Sequence, residues 1–355
     1  MPEGRLLSME RKQILVLFGG CSTEYDVSLQ SAAGVLSHFP NWCEAVTVGI
    51  TREGKWLYYT GPLSAIHEDT WQREEGCVPC ALSPDRGGGE LVLLDGERRR
   101  IRLDAVFPVL HGRNGEDGTV QGMAELAGIP VIGCGTLASA LCMDKDRAHK
   151  LASLAGVKVP KGAVFPKGSA REEVLKEAQA LGWPVFVKPV RAGSSFGIAR
   201  AARAEELWPA VEEALRHDDE VILEEAVPGF EVGCAVMGNR DLITGQVDEI
   251  ELSGGFFDYE EKYTLKTSAI HCPARISRER AAQVRETAKK VYRALGCRVF
   301  ARVDLFLTPE GEIVFNEVNT IPGFTSHSRY PNMMKADGLE FSALVDRLVR
   351  LGLEG

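Results

Sequence analysis

Runs of apolar residues alternate with stretches of helical periodicity along the first third of the chain. Residues 13–18 are almost all apolar and end at two glycines, and 27–39 then places apolar side chains on one helical face. Three further apolar runs and one helical stretch follow, at 44–50, 104–110, 128–133 and 118–127. Strands that alternate with helices in this way predict an open parallel α/β sheet.

The rest of the chain predicts shorter strands. A helix is expected from Ser139 to Leu154, because Gly156 and Pro160 are residues that end helices. Short apolar runs then indicate strands with hairpin spacing, at 162–165, 184–189, 198–201, 221–227, 231–238, 242–252, 301–307 and 312–318. Together with a helix at 278–295 and a terminal helix, this pattern predicts two α+β lobes.

The pattern divides the chain into three units. Residues 1–133 are expected to form the N-terminal α/β unit, with 1–8 outside its fold, residues 134–228 a central lobe, and residues 229–355 a C-terminal lobe. An irregular stretch at 253–272 interrupts the last lobe. The length of 355 residues agrees with several units, since it exceeds the usual size of a single domain.

Composition and charge narrow the possible functions. The net charge of −9 disfavours a protein whose main role is to hold nucleic acid or an anionic membrane. No run of about 18 consecutive apolar residues is present, so we expect a cytoplasmic protein without a membrane span. The nine cysteines, including the Cys77-Val-Pro-Cys80 pair, are expected to be reduced thiols, because no second pair completes a zinc site.

One candidate for chemistry is the segment PVFVKPVRAGSSFG at 184–197. Lys188 ends an apolar strand and precedes a loop of small residues, whose backbone N–H groups can approach phosphate oxygens closely. The loop is neither a Walker A motif nor a dinucleotide fingerprint. An ordinary hairpin with a surface lysine is the alternative on these residues alone.

A second candidate is a hairpin near the C-terminus, in which two alternating strands are joined at Pro309-Glu310-Gly311. The hairpin would set Asp304, Glu317 and Asn319 side by side. Two carboxylates and an amide oxygen suit magnesium that bridges ATP phosphates. The alternative is a structural ion pair between Asp304 and Arg302.

These segments belong to a larger set of motifs that resembles the D-alanine–D-alanine ligases of the ATP-grasp superfamily. The resemblance runs from about residue 13 to the C-terminus. Seven motifs carry it in order, GGCSTEYDVSLQSA (19–32), HGRNGEDGTVQG (111–122), SALCMDK (139–145), VKPVRAGSSFG (187–197), FDYEEKY (257–263), ARVD (301–304) and NEVNTIPGFTSHS (316–328). It implies a pre-ATP-grasp N-terminal domain, an ATP-grasp fold of two α+β lobes, and ligation of two D-alanines through D-alanyl phosphate for peptidoglycan precursors.

The resemblance also implies how ATP is bound. Two lysines contact the phosphates, residues 224–227 line the adenine pocket and one acid binds ribose. The implied set is Lys145, Lys188, Ser194, Ser195, Glu224, Glu225, Ala226, Val227, Glu231 and Lys262. The family often has an aromatic residue at the position of Ala226, so base packing differs here. The three oxygen donors of the hairpin match the family's magnesium ligands, which implies two Mg²⁺ ions, with Mn²⁺ as an alternative.

The substrate residues follow from the same resemblance. Glu24 resembles the carboxylate that holds the ammonium of the first D-alanine, and it is linked to Ser194 and Tyr263 in a hydrogen-bonded set that closes the cleft. The remaining implied contacts are His111 and Arg302 at the reacting carboxylates, Gly323 at the oxyanion and Ser328 at the acceptor carboxylate.

Two segments bear on the second substrate. Ligases that form the D-alanyl-D-lactate ester lack the pair Lys262-Tyr263, so an amine acceptor is favoured. Arg329 stands where D-alanine–D-alanine ligases often carry an apolar residue, and resistance-type ligases that use D-serine resemble the sequence around it. D-alanine is the leading acceptor and D-serine the alternative, with Arg329 either contacting the serine hydroxyl or pairing with an acid at the surface.

Three rival classes fit less of the sequence. Another ATP-grasp ligase would share Lys188, Asp304 and Glu317 but not the motifs at 19–32 and 111–122. A non-catalytic nucleotide-binding relic would have lost catalytic residues, and a nicotinamide-dependent dehydrogenase fails on its glycine fingerprint. The resemblance implies a homodimer, and no nucleic-acid partner is expected.

Overall fold

A mixed sheet forms the N-terminal part of the fold. The computed structural model describes residues 11–193, 196–252, 268–325 and 327–354. Seven strands form the first sheet, β1 (Lys12–Gly19), β2 (Cys43–Ile50), β3 (Trp56–Tyr58), β4 (Val78–Leu82), β5 (Glu90–Leu93), β6 (Arg100–Arg102) and β7 (Ala105–Pro108). Their order is β6-β5-β4-β3-β2-β1-β7. β1 pairs in parallel with β2 and β7, and the strands from β3 to β6 extend the sheet as an antiparallel meander.

Helices cover this sheet. They are α1 (Tyr25–Ser37), α2 (Leu63–His67), a short 3₁₀ helix (Trp71–Arg73) and α3 (Thr119–Leu126). The α/β class is confirmed, but the predicted strand at 128–133 is wrong. Only an isolated parallel bridge joins Val106 to Val131. Pro130 has no N–H to donate, which limits the pairing of this short run.

The predicted helix from Ser139 to Leu154 is two helices, α4 (Thr136–Met143) and α5 (Lys145–Leu154). Asp144 leaves the helical conformation at φ −88° and ψ 102°, and its side chain accepts a hydrogen bond from the Arg147 N–H. Aspartate is a favoured N-cap residue, so α5 begins anew at this point. The break places Lys145 in the first turn of α5.

The central lobe has a small antiparallel sheet with its own core. Its strands are β8 (Gly162–Pro166), β9 (Val185–Pro189), β10 (Ala199–Ala201) and β11 (Glu220–Glu225), in the order β10-β9-β11-β8. Two helices pack on it, α6 (Arg171–Leu181) and α7 (Ala204–Ala214). Buried apolar side chains of five of these elements form one separate cluster, against which partly buried Phe165 of β8 packs.

The C-terminal lobe is built on a third, antiparallel sheet. Its strands are β12 (Phe230–Met237), β13 (Ile243–Thr244), β14 (Asp248–Leu252), β15 (Ser268–His271), β16 (Phe300–Leu307) and β17 (Ile313–Asn319). The order is β15-β14-β12-β16-β17, and β13 pairs with β12. Its helices are α8 (Arg278–Ala294), α9 (Arg329–Ala336) and α10 (Phe341–Leu353). The predicted hairpin of β16 and β17 is confirmed.

A shared hydrophobic core joins the first sheet to the C-terminal lobe. The rings of Phe107, Phe300 and Phe324 meet edge to face, with centroids 5.4–6.5 Å apart. Buried residues of α9 and α10 belong to the same cluster as those of β1 and α1. The two parts are therefore packed as one body. None of the helices in the described part of the chain is long and apolar enough to cross a membrane.

Candidate functional site

The predicted metal hairpin contains an irregularity at its centre. Asp304 lies opposite Glu317, and Arg302 lies opposite Asn319. One step along β16, from Asp304 to Leu305, corresponds to two steps along β17, from Glu317 to Phe315. Asn316 is thus the extra residue of a β-bulge, a feature that re-aims side chains near active sites.

Asp304 is the buried centre of an ion network. Arg302 donates to its two carboxylate oxygens from Nε at 2.8 Å and from Nη2 at 2.7 Å, and Asn319 donates from Nδ2 at 2.9 Å. The ion pair that the sequence offered as an alternative to a metal is therefore formed. This ion pair is compatible with a bound cation. Asp304, Glu317 and Asn319 lie together as the sequence predicted, and their oxygen atoms suit Mg²⁺.

Arg329 joins the network from the first turn of α9. Its Nε and Nη2 each donate to Asp248 at 2.8 Å, Nη1 donates to Glu231 at 2.9 Å, and Nη1 lies 3.3 Å from Asp304. The side chain is 9% exposed, so Arg329 is not a surface residue. Its charge links the predicted ribose acid, a predicted metal ligand and Asp248.

Gly233 on β12 has no side chain, and the Arg329 and Asp248 side chains fill the space beside its backbone. A Cβ on Gly233 would lie 2.3 Å from Arg329 Nη2 and 2.6 Å from Asp248 Oδ1. The Gly233 N–H also donates to Asp248 Oδ1 at 3.0 Å. A side chain at this position would therefore force the Arg329 and Asp248 side chains to shift.

Two lysines approach the cleft from the central part of the chain. Lys188 at the end of β9 pairs with Glu224 at 2.6 Å and donates to Asn316 Oδ1 at 3.4 Å. Lys145 donates to the carbonyl of Ala192 at 2.7 Å, just before the glycine loop. Lys188 is therefore not an ordinary surface lysine, because its side chain is buried beside the hairpin of β16 and β17.

The predicted adenine segment contains an unsatisfied buried acceptor. Glu224 Oε1 has no hydrogen-bond partner among the described residues, and His149 Nδ1 lies 3.5 Å from it. Burial raises the pKa of Glu224, but Lys188 and His149 outweigh it and keep the pKa below its usual value. An ionised carboxylate with a spare acceptor fits an amino donor such as that of adenine.

The three residues that follow Glu224 do not share its environment. Glu225 accepts a hydrogen bond from the Lys161 N–H at 3.0 Å, on the opposite side of β11 from Glu224. Ala226 and Val227 follow the end of β11 and are half-buried. These three residues can therefore contribute backbone groups and apolar surface to a base.

Glu24 lies where the first sheet and the glycine loop meet. It occupies the N-cap position of α1 without a side-chain capping bond, which does not support a purely capping role. A Cβ on Gly112 would lie 2.6 Å from Glu24 Oε2, and one on Gly193 would lie 3.2 Å from it. Gly193 directly precedes Ser194, so the described residues bring the predicted loop to Glu24.

His111 has both ring nitrogens bonded within the protein. Nδ1 lies 2.9 Å from the carbonyl oxygen of Ile321, and Nε2 lies 3.1 Å from Ser31 Oγ. Burial lowers the pKa of His111, although the Glu24 carboxylate opposes the shift. The neutral ring therefore donates from Nδ1 and accepts at Nε2.

Gly323 and Ser328 lie together after β17. A Cβ on Gly323 would lie 2.7 Å from Ser328 Oγ, so a glycine is needed where the serine hydroxyl approaches. Ser328 Oγ also accepts from the Thr325 N–H at 2.9 Å. The predicted oxyanion donor and the predicted acceptor contact are therefore adjacent.

Some predicted residues lie outside the described part of the chain. They are Ser194, Ser195, Lys262 and Tyr263, and the motif at 257–263 falls with them. Among the described residues, no group of three or more histidine, cysteine, aspartate or glutamate side chains is arranged to hold a metal. The predicted set differs from such a group because its third ligand is the amide of Asn319.

The sequence did not single out several residues that the fold brings to the cleft. His149 carried a local signal, since it stands one helical turn after Lys145 on the same face of α5. Ser31 and Glu116 lie inside two of the family motifs, but their roles and that of Asp248 had no local signal, because their partners Phe324, Ile321 and Arg329 are distant in sequence.

Glu116 is a buried acid in the loop after β7. Its Oε2 accepts from the Gly112 N–H at 2.7 Å, and its Oε1 accepts from the Ile321 N–H at 3.3 Å. Burial and then the charge of Glu24 raise the pKa of Glu116 to about 8, although the two N–H groups oppose the shift.

Comparison with known proteins gives a consistent assignment across the chain. Residues 13–134 match the model of the D-ala D-ala ligase N-terminus, and residues 151–350 match that of the C-terminus. A putative D-alanine–D-lactate ligase of Streptomyces coelicolor is 47% identical, with 98% of this chain and 99% of the relative covered. Vancomycin B-type resistance protein VanB of Enterococcus faecalis is 45% identical, with 98% and 100% covered.

A solved structure resembles the whole chain. The crystal structure of the VanG D-Ala:D-Ser ligase from Enterococcus faecalis is 57% identical and superposes with a TM-score of 0.91. The match covers 97% of this chain and 100% of that one.

We expect Glu116 to make the stability of the protein depend on pH. Because its pKa is raised from 4.5 to about 8, its contribution is fully present below pH 4.5 and is lost as the pH rises through about 8. Glu116→Gln cannot titrate. The free energy of unfolding of the wild type, relative to this variant, should therefore fall between about pH 5 and about pH 9 in urea titrations. A difference that stays constant or grows over that range would contradict the assignment.

Proposed function

The chain belongs to the D-alanine–D-alanine ligase family, and on this premise we propose that it uses ATP to join D-alanine to a second D-amino acid. The observation that carries the proposal is the position of Lys188. Its ammonium group touches Asn316, the bulge residue that adjoins Glu317. The lysine proposed to bind phosphate thus lies beside the strand that carries two of the proposed metal ligands, which suits phosphoryl transfer.

ATP would bind between the central and C-terminal lobes. Lys145 and Lys188 would contact its phosphates, and the spare acceptor of Glu224 would take the adenine amino group. Glu231 would meet the ribose, once its bond to Arg329 is shared or exchanged. Ser194, Ser195 and Lys262 complete the proposed nucleotide contacts by family resemblance, as do Glu225, Ala226 and Val227 along the base.

The metal set is part of the proposal. Asp304, Glu317 and Asn319 would hold Mg²⁺, and two carboxylates with an amide match the ligands that this cation prefers. When bound, the cation would neutralise charge on the transferring phosphoryl group.

The reaction explains why the other residues converge. A carboxylate is a poor electrophile, so the first D-alanine must be phosphorylated before the amine of the second can attack it. Glu24 would hold the ammonium of the first substrate, and Arg302 would offset charge at its carboxylate. The Gly323 N–H would receive the oxyanion of the tetrahedral intermediate. Tyr263 and Ser194 would close the site and exclude water from the acyl phosphate.

The position of Arg329 favours D-serine as the acceptor over D-alanine, which led on sequence alone. Asp248 is completely buried and accepts from Arg329 and Gly233, so the Arg329 guanidinium is the group that would meet a serine hydroxyl, by sharing one of its present hydrogen bonds. D-alanine has no hydroxyl to make that contact, and sites that hydrogen-bond a substrate hydroxyl discriminate against analogues that lack it. The likeness to a D-Ala:D-Ser ligase supports the same choice, with D-alanine as the second candidate.

Two further expectations belong to the proposal. A cytoplasmic location supplies ATP to the reaction, and a homodimer is implied by family resemblance.

Product analysis tests the proposed activity. We expect ADP and phosphate release from the wild type with ATP, Mg²⁺ and D-alanine, and more release when D-serine is added. Mass spectrometry should then identify D-alanyl-D-serine as the main product. A dominant D-alanyl-D-alanine product would overturn the choice of acceptor, and an ester formed with D-lactate would overturn the amine class. No ATP turnover with any of these mixtures would overturn the ligase itself.

Arg329→Leu should lower kcat/KM for D-serine relative to D-alanine by about tenfold or more, because a hydrogen bond to a charged group is worth about 1.5–3 kcal/mol. Removing Arg329 leaves buried acids unpaired, which lowers the amount of folded protein. The measured quantity is therefore the ratio of kcat/KM for D-serine to kcat/KM for D-alanine, because this loss affects both values equally. Arg275→Leu, which removes the half-exposed partner of the buried Glu249 on the same sheet, is the control. Equal losses on both acceptors would remove the hydroxyl contact from the proposal.

Glu317→Gln should reduce kcat by about 10²-fold or more and raise the Mg²⁺ concentration needed for half-maximal rate, because a neutral amide binds the cation less tightly. Glu312→Gln at the exposed turn of the same hairpin should leave both values near those of the wild type. Circular dichroism checks that the fold is retained. An unchanged Mg²⁺ requirement in Glu317→Gln would contradict the metal assignment.

A further inference from the structure

The segment Ile321–Phe324, which contains the proposed oxyanion donor, is bonded on both sides of Gly323 to the N-terminal part of the chain. The Ile321 N–H donates to Glu116 at 3.3 Å, and the Ile321 carbonyl accepts from His111 at 2.9 Å. The Phe324 N–H donates to Ser31 Oγ at 3.1 Å. Three backbone groups of a C-terminal loop are therefore satisfied by side chains of α1 and of the loop after β7.

These bonds form a continuous chain with a defined direction. A carbonyl oxygen can only accept, so His111 donates to Ile321 from Nδ1, and its Nε2 is then an acceptor. The Ser31 hydroxyl donates to Nε2, and its oxygen accepts the Phe324 N–H. Ser31 is completely buried, which makes each of these bonds costly to lose.

Glu116 binds the same segment through both its side chain and its backbone. Besides the Ile321 N–H, it binds the Gly112 N–H at 2.7 Å, and its backbone carbonyl accepts from Thr320 Oγ1 at 3.5 Å. The carboxyl group therefore ties the loop after β7 to the segment that follows β17. The aromatic contacts of Phe324 with Phe107 and Phe300 hold the far end of the same segment.

We propose that Ser31 and Glu116 are positioning residues that act through His111 and the backbone of Ile321–Phe324 to place the Gly323 N–H. The inference rests on the proposed function, since it assumes that Gly323 receives the oxyanion. A single N–H is effective only at hydrogen-bonding distance from the developing charge, so a small displacement of its backbone lowers the rate. His111 then serves this arrangement with both of its ring nitrogens, in addition to lying near the reacting carboxylates.

Ser31→Ala and Glu116→Gln test the proposal, each with a matched control. Ser139→Ala removes an equally buried serine hydroxyl from α4, and Glu125→Gln removes a carboxylate that accepts two hydrogen bonds from Thr136. We expect kcat to fall about 10- to 100-fold in the two test variants, because misplacing a catalytic group by about 1 Å can cost about 10²-fold. KM for ATP should change by less than about twofold. A pH of about 7 keeps both His111 and Glu116 largely neutral in these comparisons.

A binding measurement separates positioning from a merely structural role. A phosphinate dipeptide analogue has a tetrahedral phosphorus and an anionic oxygen, so it imitates the intermediate. Its affinity should fall in the test variants by about the same factor as kcat, while the affinity for ATP stays near that of the controls. Ser31→Ala and Glu116→Gln with kcat and analogue affinity within about twofold of the controls would overturn the proposal.

Hydrogen exchange gives a readout that does not depend on activity. The amides of Ile321, Gly323 and Phe324 should exchange faster in both test variants, and those of the α8 helix should not. If the exchange rates of this segment are unchanged, Ser31 and Glu116 do not hold its backbone in place, and the proposal is overturned even if catalysis is impaired. If the wild type turns over no D-amino acid but the exchange rates change as expected, the proposed function fails, while the role of Ser31 and Glu116 in holding this segment is supported.

Discussion

The pairing of charges inside the third sheet is the constraint on which the site depends. Asp304, Asp248 and Glu231 lie close together in a buried part of the sheet, and such acids are costly unless cations accompany them. Arg302 and Arg329 supply these cations, one from a strand of the sheet and one from α9. Removing one partner from a buried pair typically costs about 3–5 kcal/mol. The same arginines therefore maintain the fold and set the positions of the groups proposed to meet ribose, metal and acceptor.

The packing of the first sheet against the C-terminal lobe adds a second constraint. One hydrophobic core includes residues of β1, α1, α9 and α10, whereas the central lobe keeps a core of its own. Glu24 and Gly323, which are proposed to meet the substrates, thus belong to one packed body. Of the two lysines proposed to meet ATP, Lys188 lies in the central lobe, whereas Lys145 is on α5, whose buried residues pack in the core of the third sheet.

Much of the fold could be predicted from periodicity, because most strands are continuous apolar runs or alternate regularly. The hairpin of β16 and β17 was the most informative case, since its strands are close in sequence and its turn residues are distinctive. The errors have local causes. Pro130 limited the pairing of the run at 128–133, and Asp144 capped a new helix inside a stretch of uniform helical character. The antiparallel meander after β2 was missed because its strands are only three to five residues long, too short to show a clear periodicity.

The site, like the fold, could be predicted only in part from the sequence. Asp304, Glu317 and Asn319 could be found from the residues, while Glu24, Lys145, Gly323 and Ser328 depended on family resemblance. The contacts of Ser31 with Phe324 and of Asp248 with Arg329 join residues 293 and 81 positions apart, so no local pattern could indicate them. The bulge at Asn316 was also hidden, because alternation alone predicts regular pairing through that position.

The bare backbone at Gly233 has a consequence for how substitutions in this cleft combine. A Cβ there would meet the ends of the Arg329, Asp248 and Met333 side chains, and these would have to move together to make room for it. A change at position 233 is therefore felt first by the buried ion network. The effects of substitutions at 233 and 329 on stability and on acceptor choice should then depend on each other rather than add.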